Sequence, residues 1–579
     1  MVGVPGRSKA CTTCKKRKIA CSLERPVCKI CLKSNRECGG YERERIFVLD
    51  ARTKEAVTPA LPIKLVSLPS KPIAQPPPDL QGTIPLRNAY SSLWTIENPT
   101  TRAIYREQII SEFLYSFAPS CSAASWLSVL PSHPHFTSAL EASSLAVCTA
   151  HLGHLHSSPA LIQESLKFYV QALWELQKAL WNEKQMYRDE TLAACMLLIM
   201  YEVTECPDQT ITAWQGHMKG CAKLFESRGP ESYRGEFSHK LFSSFRQLEI
   251  QQALVERRGT FLDSDQWREI PWKDRPKPIW QELMDIESGL ATGIAGVYQN
   301  PSSSTPYEFA ILLLEVVKMT WDFDSRLSSF YERFEAQTDG GLYRTRFSEG
   351  FNHSIKISDE PGPPVFPVAY EFPDLATAHT CIIYWALTSI LWCGMSKIYD
   401  ILAVMQMQVQ AESQSTIASF DAVMAKPDDT PLSTKVDESP FSEATFPAET
   451  SPPVPIPTPS PASSSSSSST SPPKSTPSPL HISLFTTLPP LGHRRDISAP
   501  AKNICQSLEY CMSSPHGMTG TTAAVFPLKV AIESLSGSGE KCRRELEWAK
   551  EAFRVIGGKG VKILEHLDDG VEKKAYLPG

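Results

Sequence analysis

From about residue 100 onward, apolar residues recur at helical spacing. Ile109, Ile110, Phe113, Leu114 and Phe117 fall on one face. Ile162, Leu166, Tyr169, Leu173, Leu176 and Leu180 advance by alternating steps of four and three, with Glu164, Lys167 and Lys178 off that stripe. Thr191 to Val203 is apolar nearly all round, the pattern of a central buried helix. Ile211, Trp214, Met218, Cys221, Leu224 and Phe225 form the next stripe, stopped by Gly229-Pro230. Further stripes lie around 240–256, 306–321 and 373–400. β-Branched alternation is scarce, so the pattern predicts an all-α body of stacked helix pairs. Thr380 to Met395 is a near-continuous apolar run, too short for a membrane span, and reads as a buried helix. No membrane partner is expected.

The rhythm fails in two places. Residues 42–99 carry prolines at 59, 62, 69, 72, 76, 77, 78 and 85, which remove donors and fix φ, as in an extended linker. No heptad follows the N-terminal segment: Ile46, Phe47, Val48 and Leu49 are consecutive and Pro59 ends any helix. Residues 424–500 are Ser/Pro-rich and too polar to bury a core, and read as a disordered insertion. Within it, Phe441 and Phe446 sit among Asp437, Glu438, Glu443 and Glu449, a mixture suited to a coactivator groove. Ser439, Ser451, Ser460 and Ser471 each precede proline and suit proline-directed phosphorylation. The division is therefore 8–41 for a cysteine-rich head, 42–99 for a linker and 100–423 for the helical body. The insertion occupies 424–500, and the closing helices 501–579.

The head changes the picture. Cys11, Cys14, Cys21, Cys28, Cys31 and Cys38 are spaced C-x2-C-x6-C-x6-C-x2-C-x6-C, so the first three are echoed by the second three. Thiolates are soft zinc ligands, and C-x2-C lets two sulfurs grip one face of a tetrahedral ion. Two separate four-coordinate sites need eight sulfurs; six suffice if two of them bridge both metals. A segment this short cannot bury a core, so two Zn2+ ions would supply most of its folding energy. Residues 1–45 hold twelve Lys/Arg against four Asp/Glu, while the remainder holds 46 against 59. The whole-chain charge of −5 thus hides a basic head on an acidic body. A basic head attracts a phosphate backbone. Guanine presents N7 and O6 in the major groove, for which Lys and Arg are the usual donors. Lys15, Lys16, Arg17 and Lys18 cover a full helical turn, so only some of them can face bases.

This segment resembles the DNA-binding module of the fungal Zn(II)2Cys6 binuclear-cluster transcription factors, with all six cysteines matching. The resemblance implies that the first and fourth cysteines, Cys11 and Cys28, bridge the metals. It also implies that a short helix after Cys14 enters the major groove and reads a CGG triplet in double-stranded DNA. Lys18, with Arg17 second, is the expected base contact. Lys15 and Lys16 complete the docking run, and Lys9, Arg25, Lys29 and Lys33 are candidates for phosphate. The stretches DETLAACMLLIMYEV, AWQGHMKGCAKLFESRGP and AKNICQSLEYC resemble the fungal-specific transcription factor domain that follows such fingers. The expected protein is a nuclear regulator of RNA polymerase II genes, in a family that often governs metabolism or secondary metabolite clusters. Relatives often dimerise through a coiled coil that is not seen here. The alternatives are a protein-binding co-regulator or an effector-sensing scaffold whose finger lacks specific DNA binding.

Other features read as structural. His133, His135, His151, His154 and His156 have no accompanying cysteine or carboxylate pattern and read as packing or caps rather than a metal site. Ten further cysteines are scattered and behave as small hydrophobes. A disulfide framework is not expected, because residues 1–20 lack a signal peptide's apolar core. Gly557-Gly558-Lys559-Gly560 imitates a phosphate loop, but Phe553 stands where the first Gly belongs and Gly560 replaces the Ser/Thr. There is no H-E-x-x-H and no G-x-S-x-G, so no enzyme is expected.

Overall fold

The computed structural model describes residues 10–23, 28–36, 38, 99–119, 125–299, 305–357, 363–424 and 488–566. The chain forms two units, residues 1–83 and 84–579. In the first, helices α1 (Thr12–Lys16) and α2 (Lys29–Lys33) pack against each other through buried cysteines.

The second unit is helical, as the periodicity predicts. It starts with α3 (Pro99–Phe117), α4 (Ser138–Leu155), α5 (Pro159–Leu180) and α6 (Asp189–Glu205). Next come α7 (Thr212–Arg228), α8 (Glu236–Glu256), α9 (Ile279–Gln299) and α10 (Pro306–Gln337). After α11 (Leu375–Met424) it closes with α12 (Ser498–Cys511), α13 (Gly517–Gly537) and α14 (Arg543–Gly558). One buried apolar cluster runs from Ile109 to Leu564, so the closing helices share the core of the opening ones.

Helix α4 is the least obvious from sequence and among the most buried. Thr137 caps it by accepting the Leu140 N–H at 3.3 Å. Its side chains are mostly small, which lets α5 and α6 approach closely. At Gly153 a Cβ would sit 2.8 Å from Ile162 Cγ1, so only glycine permits this crossing. Helix α5 is rotated from the sequence expectation. Its buried residues are Leu161, Ser165, Phe168, Tyr169, Ala172, Leu176 and Ala179, while Leu166 is exposed. The close approach of α4 favours the small residues Ser165, Ala172 and Ala179 over the larger Leu166 and Leu173.

Two further departures are informative. A two-stranded antiparallel sheet interrupts the all-α pattern: β1 (Arg344–Phe347) pairs with β2 (Val368–Glu371). It packs on α12, where buried Glu509 accepts from Ser348 Oγ at 2.6 Å and from the Asn352 N–H at 3.2 Å. The expected insertion 424–500 is also shorter at its end, because residues 488–500 are packed. Leu491 is buried and Arg494 Nε donates to Asp324 Oδ2 at 2.8 Å. The Tyr399 hydroxyl donates to the Pro489 carbonyl at 2.7 Å, and the Trp321 indole N–H donates to that hydroxyl at 3.0 Å. The remainder of the insertion, with Phe441, Phe446 and the Ser-Pro sites, lies outside the described residues, as does the linker up to residue 98.

Helix α11 holds the long apolar run. Among the described residues it is the one helix long and apolar enough to cross a membrane, and its Cys381, Ile382, Ile383, Leu387 and Leu391 are buried in the core.

Candidate metal centre and nucleic-acid interface

The cysteines converge although each half of the motif is locally independent. Cys11, Cys14, Cys21 and Cys28 place their sulfurs within 4.8 Å of one another, and so do Cys11, Cys28, Cys31 and Cys38. The two groups share Cys11 and Cys28. Those sulfurs are 3.7 Å apart, with Cys14 to Cys28 at 3.6 Å and Cys11 to Cys31 at 3.8 Å. A Zn–S bond of about 2.3 Å sets the corners of a tetrahedron about 3.8 Å apart. The donor set therefore fits two tetrahedral ions that share an edge.

The sequence repeat becomes a structural one at a 17-residue offset. The Cys14 N–H points at Cys11 Sγ (3.4 Å), and the Cys31 N–H at Cys28 Sγ (3.3 Å). Ile19 N–H donates to the Cys14 carbonyl at 3.1 Å, and Arg36 N–H to the Cys31 carbonyl at 3.0 Å. Lys18 and Asn35 occupy the matching left-handed positions, with φ of 54° and 48°. Donors aimed at the two shared sulfurs stabilise thiolate charge there. Burial pushes the Cys14 thiol up and raises Cys31 to about 12. Crowded thiolates need a cation in place of their protons.

The structure amends the basic run. Helix α1 starts at Thr12 and contains Cys14 rather than following it, and it ends at Lys16. Lys16, Arg17 and Lys18 are exposed, with Lys18 in the turn that leaves the helix. Lys15 is in α1, its side chain outside the description. Lys29 opens α2 and Lys33 closes it, both exposed, and the Lys29 N–H donates to Ser22 Oγ at 2.8 Å. Lys9 and Arg25 lie outside the described residues. Two residues that the sequence did not single out tie the halves together. Ser22 takes that bond, and Ser34 Oγ accepts from Arg17 Nη1 at 3.4 Å. The 17-residue echo was the available signal, because it pairs the turn after α1 with the turn after α2.

The other candidates separate. His151 contacts Ser116 Oγ at 2.9 Å between the rings of Phe113 and Phe117. His154 meets Glu205 at 2.5 Å, His156 approaches Glu112 at 3.7 Å, and His133 approaches Glu190 at 3.5 Å. Each has its own partner, and among the described residues the cysteine groups alone have metal-binding geometry. The glycine-rich Gly557–Gly560 segment ends α14, whereas a phosphate loop must open a helix. Lys559 lies over the Phe351 ring.

Residues 9–45 match the fungal Zn(2)-Cys(6) binuclear cluster domain. Residues 104–366 match the fungal specific transcription factor domain. The chain thus carries the two domains found together in fungal Zn2Cys6 transcription factors. Its cluster domain is of the kind that binds two zinc ions and DNA, and neither domain family is enzymatic. The regulatory match ends at residue 366, yet α11 to α14 complete the same core. An uncharacterized protein of Emericella nidulans is 31% identical over 150 residues, covering 25% of this chain and 31% of the relative. The match thus spans about a third of that relative's length. No solved structure matches.

Proposed function

We propose that this Zn2Cys6 regulator acts in the nucleus on RNA polymerase II genes and reads CGG-type triplets in duplex DNA. Cys11, Cys14, Cys21 and Cys28 hold one zinc, and Cys11, Cys28, Cys31 and Cys38 hold the other. The ions fix the two loops against each other and so set where the basic residues point. Lys18 and Arg17 donate to guanine N7 and O6, and Lys15, Lys16, Lys29 and Lys33, with Lys9 and Arg25, meet phosphates. The observation that carries this reading is the sharing of Cys11 and Cys28 by two four-sulfur groups beside the exposed Lys16–Lys18 run. On the family resemblance, its targets are genes of metabolism or of a secondary metabolite cluster. The acidic–aromatic composition around Phe441 and Phe446 supports coactivator binding by the part of 424–500 that precedes the packed 488–500 segment.

The test is binding of the full-length protein to CGG-containing and scrambled duplexes at two salt concentrations, with and without a zinc chelator. CGG-preferring, chelator-sensitive binding is expected. Equal affinity for both duplexes would overturn triplet reading and favour a scaffold recruited by other proteins.

A further inference from the structure

A row of apolar side chains on α5 faces away from the core. Leu166, Val170, Trp174 and Trp181 are 44%, 58%, 52% and 78% exposed. They follow one another at steps of four, four and seven, the spacing of one helix face. The other side of the helix is already committed to the core through Leu161, Phe168, Ala172 and Leu176. Helix α5 is thus apolar on two sides. The outward row exposes on the order of 400 Å², with the Lys178 ammonium 3.1 Å over the Trp174 ring, and is of the size that marks an interaction site.

The charges beside the row identify what covers it. Glu164 pairs with Lys167 at 2.6 Å, and Glu175 pairs with Lys178 at 3.0 Å. Both pairs run acid then base, and they lie symmetrically about Gln171. An antiparallel copy of the same helix, related by a two-fold axis at Gln171, sets Lys167 opposite the partner's Glu175. It sets Glu164 opposite the partner's Lys178. A parallel copy in register sets like against like. The same axis interleaves the apolar row. Val170 falls between the partner's Val170 and Trp174, and Trp174 falls between the partner's Leu166 and Val170. Gln171 meets its own symmetry mate, and a primary amide both donates and accepts.

We infer that α5 is a self-association surface, through which two copies of this chain pair antiparallel about a two-fold axis at Gln171. The pairing gives the regulator a dimer interface within its helical body, without a coiled coil after the finger.

Sedimentation of the full-length protein without DNA, across a wide concentration range, tests this. Wild type is expected to dimerise reversibly. Val170→Glu with Trp174→Glu should leave a monomer whose circular dichroism and urea midpoint match wild type. Lys167→Glu and Glu175→Lys should each weaken the dimer at least about tenfold, and the two together should restore it. A purely intrahelical role for these charges requires the reverse, because the double variant puts like charges into both intrahelical pairs. A wild type that stays monomeric, its α5 face covered by another segment or serving another protein, overturns the inference. So does a dimer that survives Val170→Glu with Trp174→Glu, or a double variant no tighter than the single ones.

Discussion

At the scale of single residues, the two shared sulfurs differ from the other four. Removing Cys28 takes a ligand from both four-sulfur groups, whereas removing Cys21 takes one from a single group. Cys28→Ala is expected to lose both zinc ions and the fold of residues 10–38. Cys21→Ala should retain part of the metal, measured as zinc per chain after dialysis. Equal zinc in the two variants would sink the bridging assignment. The basic residues divide by role. Lys18→Ala should cost about 1–3 kcal/mol on CGG and relax triplet preference, while Lys33→Ala should weaken all duplexes alike and lower the salt slope by about one. The convergence of the six cysteines was legible because their spacing is local and the chemistry of such a set is narrow. The left-handed turn at Lys18 was not, since lysine carries no preference for positive φ.

At the scale of elements, legibility followed how each helix is buried. Helices α6 and α7 were read with sound faces because their apolar residues are large and one-sided or continuous. Helix α4 escaped because serine, alanine and glycine carry little hydrophobic signal, although they let three helices meet. Helix α5 misled for the opposite reason: it is apolar on two sides, and spacing cannot say which side faces the core. The 488–500 segment looked like the end of a polar insertion, but Arg494 and Tyr399 hold it through specific bonds that composition does not reveal. The α4–α5 crossing gives a sharp test. Gly153→Val places a Cβ against both Ile162 Cγ1 and the Ile162 backbone nitrogen, at 2.8 and 3.0 Å. A loss of about 1–3 kcal/mol in urea unfolding is expected, with zinc content unchanged.

At the scale of the molecule, buried titratable groups shape the response to pH. Burial lowers His151, His217, His239 and His379 to about 4. Burial also raises Glu202 to about 7 and Glu287 to about 8. Below about pH 6.5 the unfolded chain protonates its histidines and the folded body does not, so acid destabilises it down to about pH 4. From about pH 4.5 up to 7–8 the folded body keeps the two carboxyl protons that the unfolded chain has released, so rising pH removes the stabilisation they give. That loss is outweighed by the four histidines below about pH 6.5, dominates from there to about pH 8, and levels off above. The urea midpoint is therefore expected to peak near pH 6.5–7, and a midpoint that climbs steadily from pH 7 to 9 would sink this account. A chelator, by contrast, should unfold the finger and leave the midpoint of the helical body where it was, because no cysteine group outside the finger has metal-binding geometry among the described residues.

The bond between Tyr399 and Pro489 has one more consequence, for how this protein tolerates change in length. Tyr399 lies within α11, whose Leu402 packs with Leu313, Val317 and Leu488, so the bond at 2.7 Å pins the segment that starts at residue 488 to the same helix that ends at Met424. For a flexible loop between pinned ends, the entropic cost rises only with the logarithm of its length, about 0.6 kcal/mol for each doubling. Evolution can lengthen, shorten or rewrite the Ser/Pro-rich tract there while the regulator's core stays as stable as before. Deleting residues 430–485 should accordingly leave the urea midpoint of the body unchanged, and inserting a folded reporter domain between them should do the same.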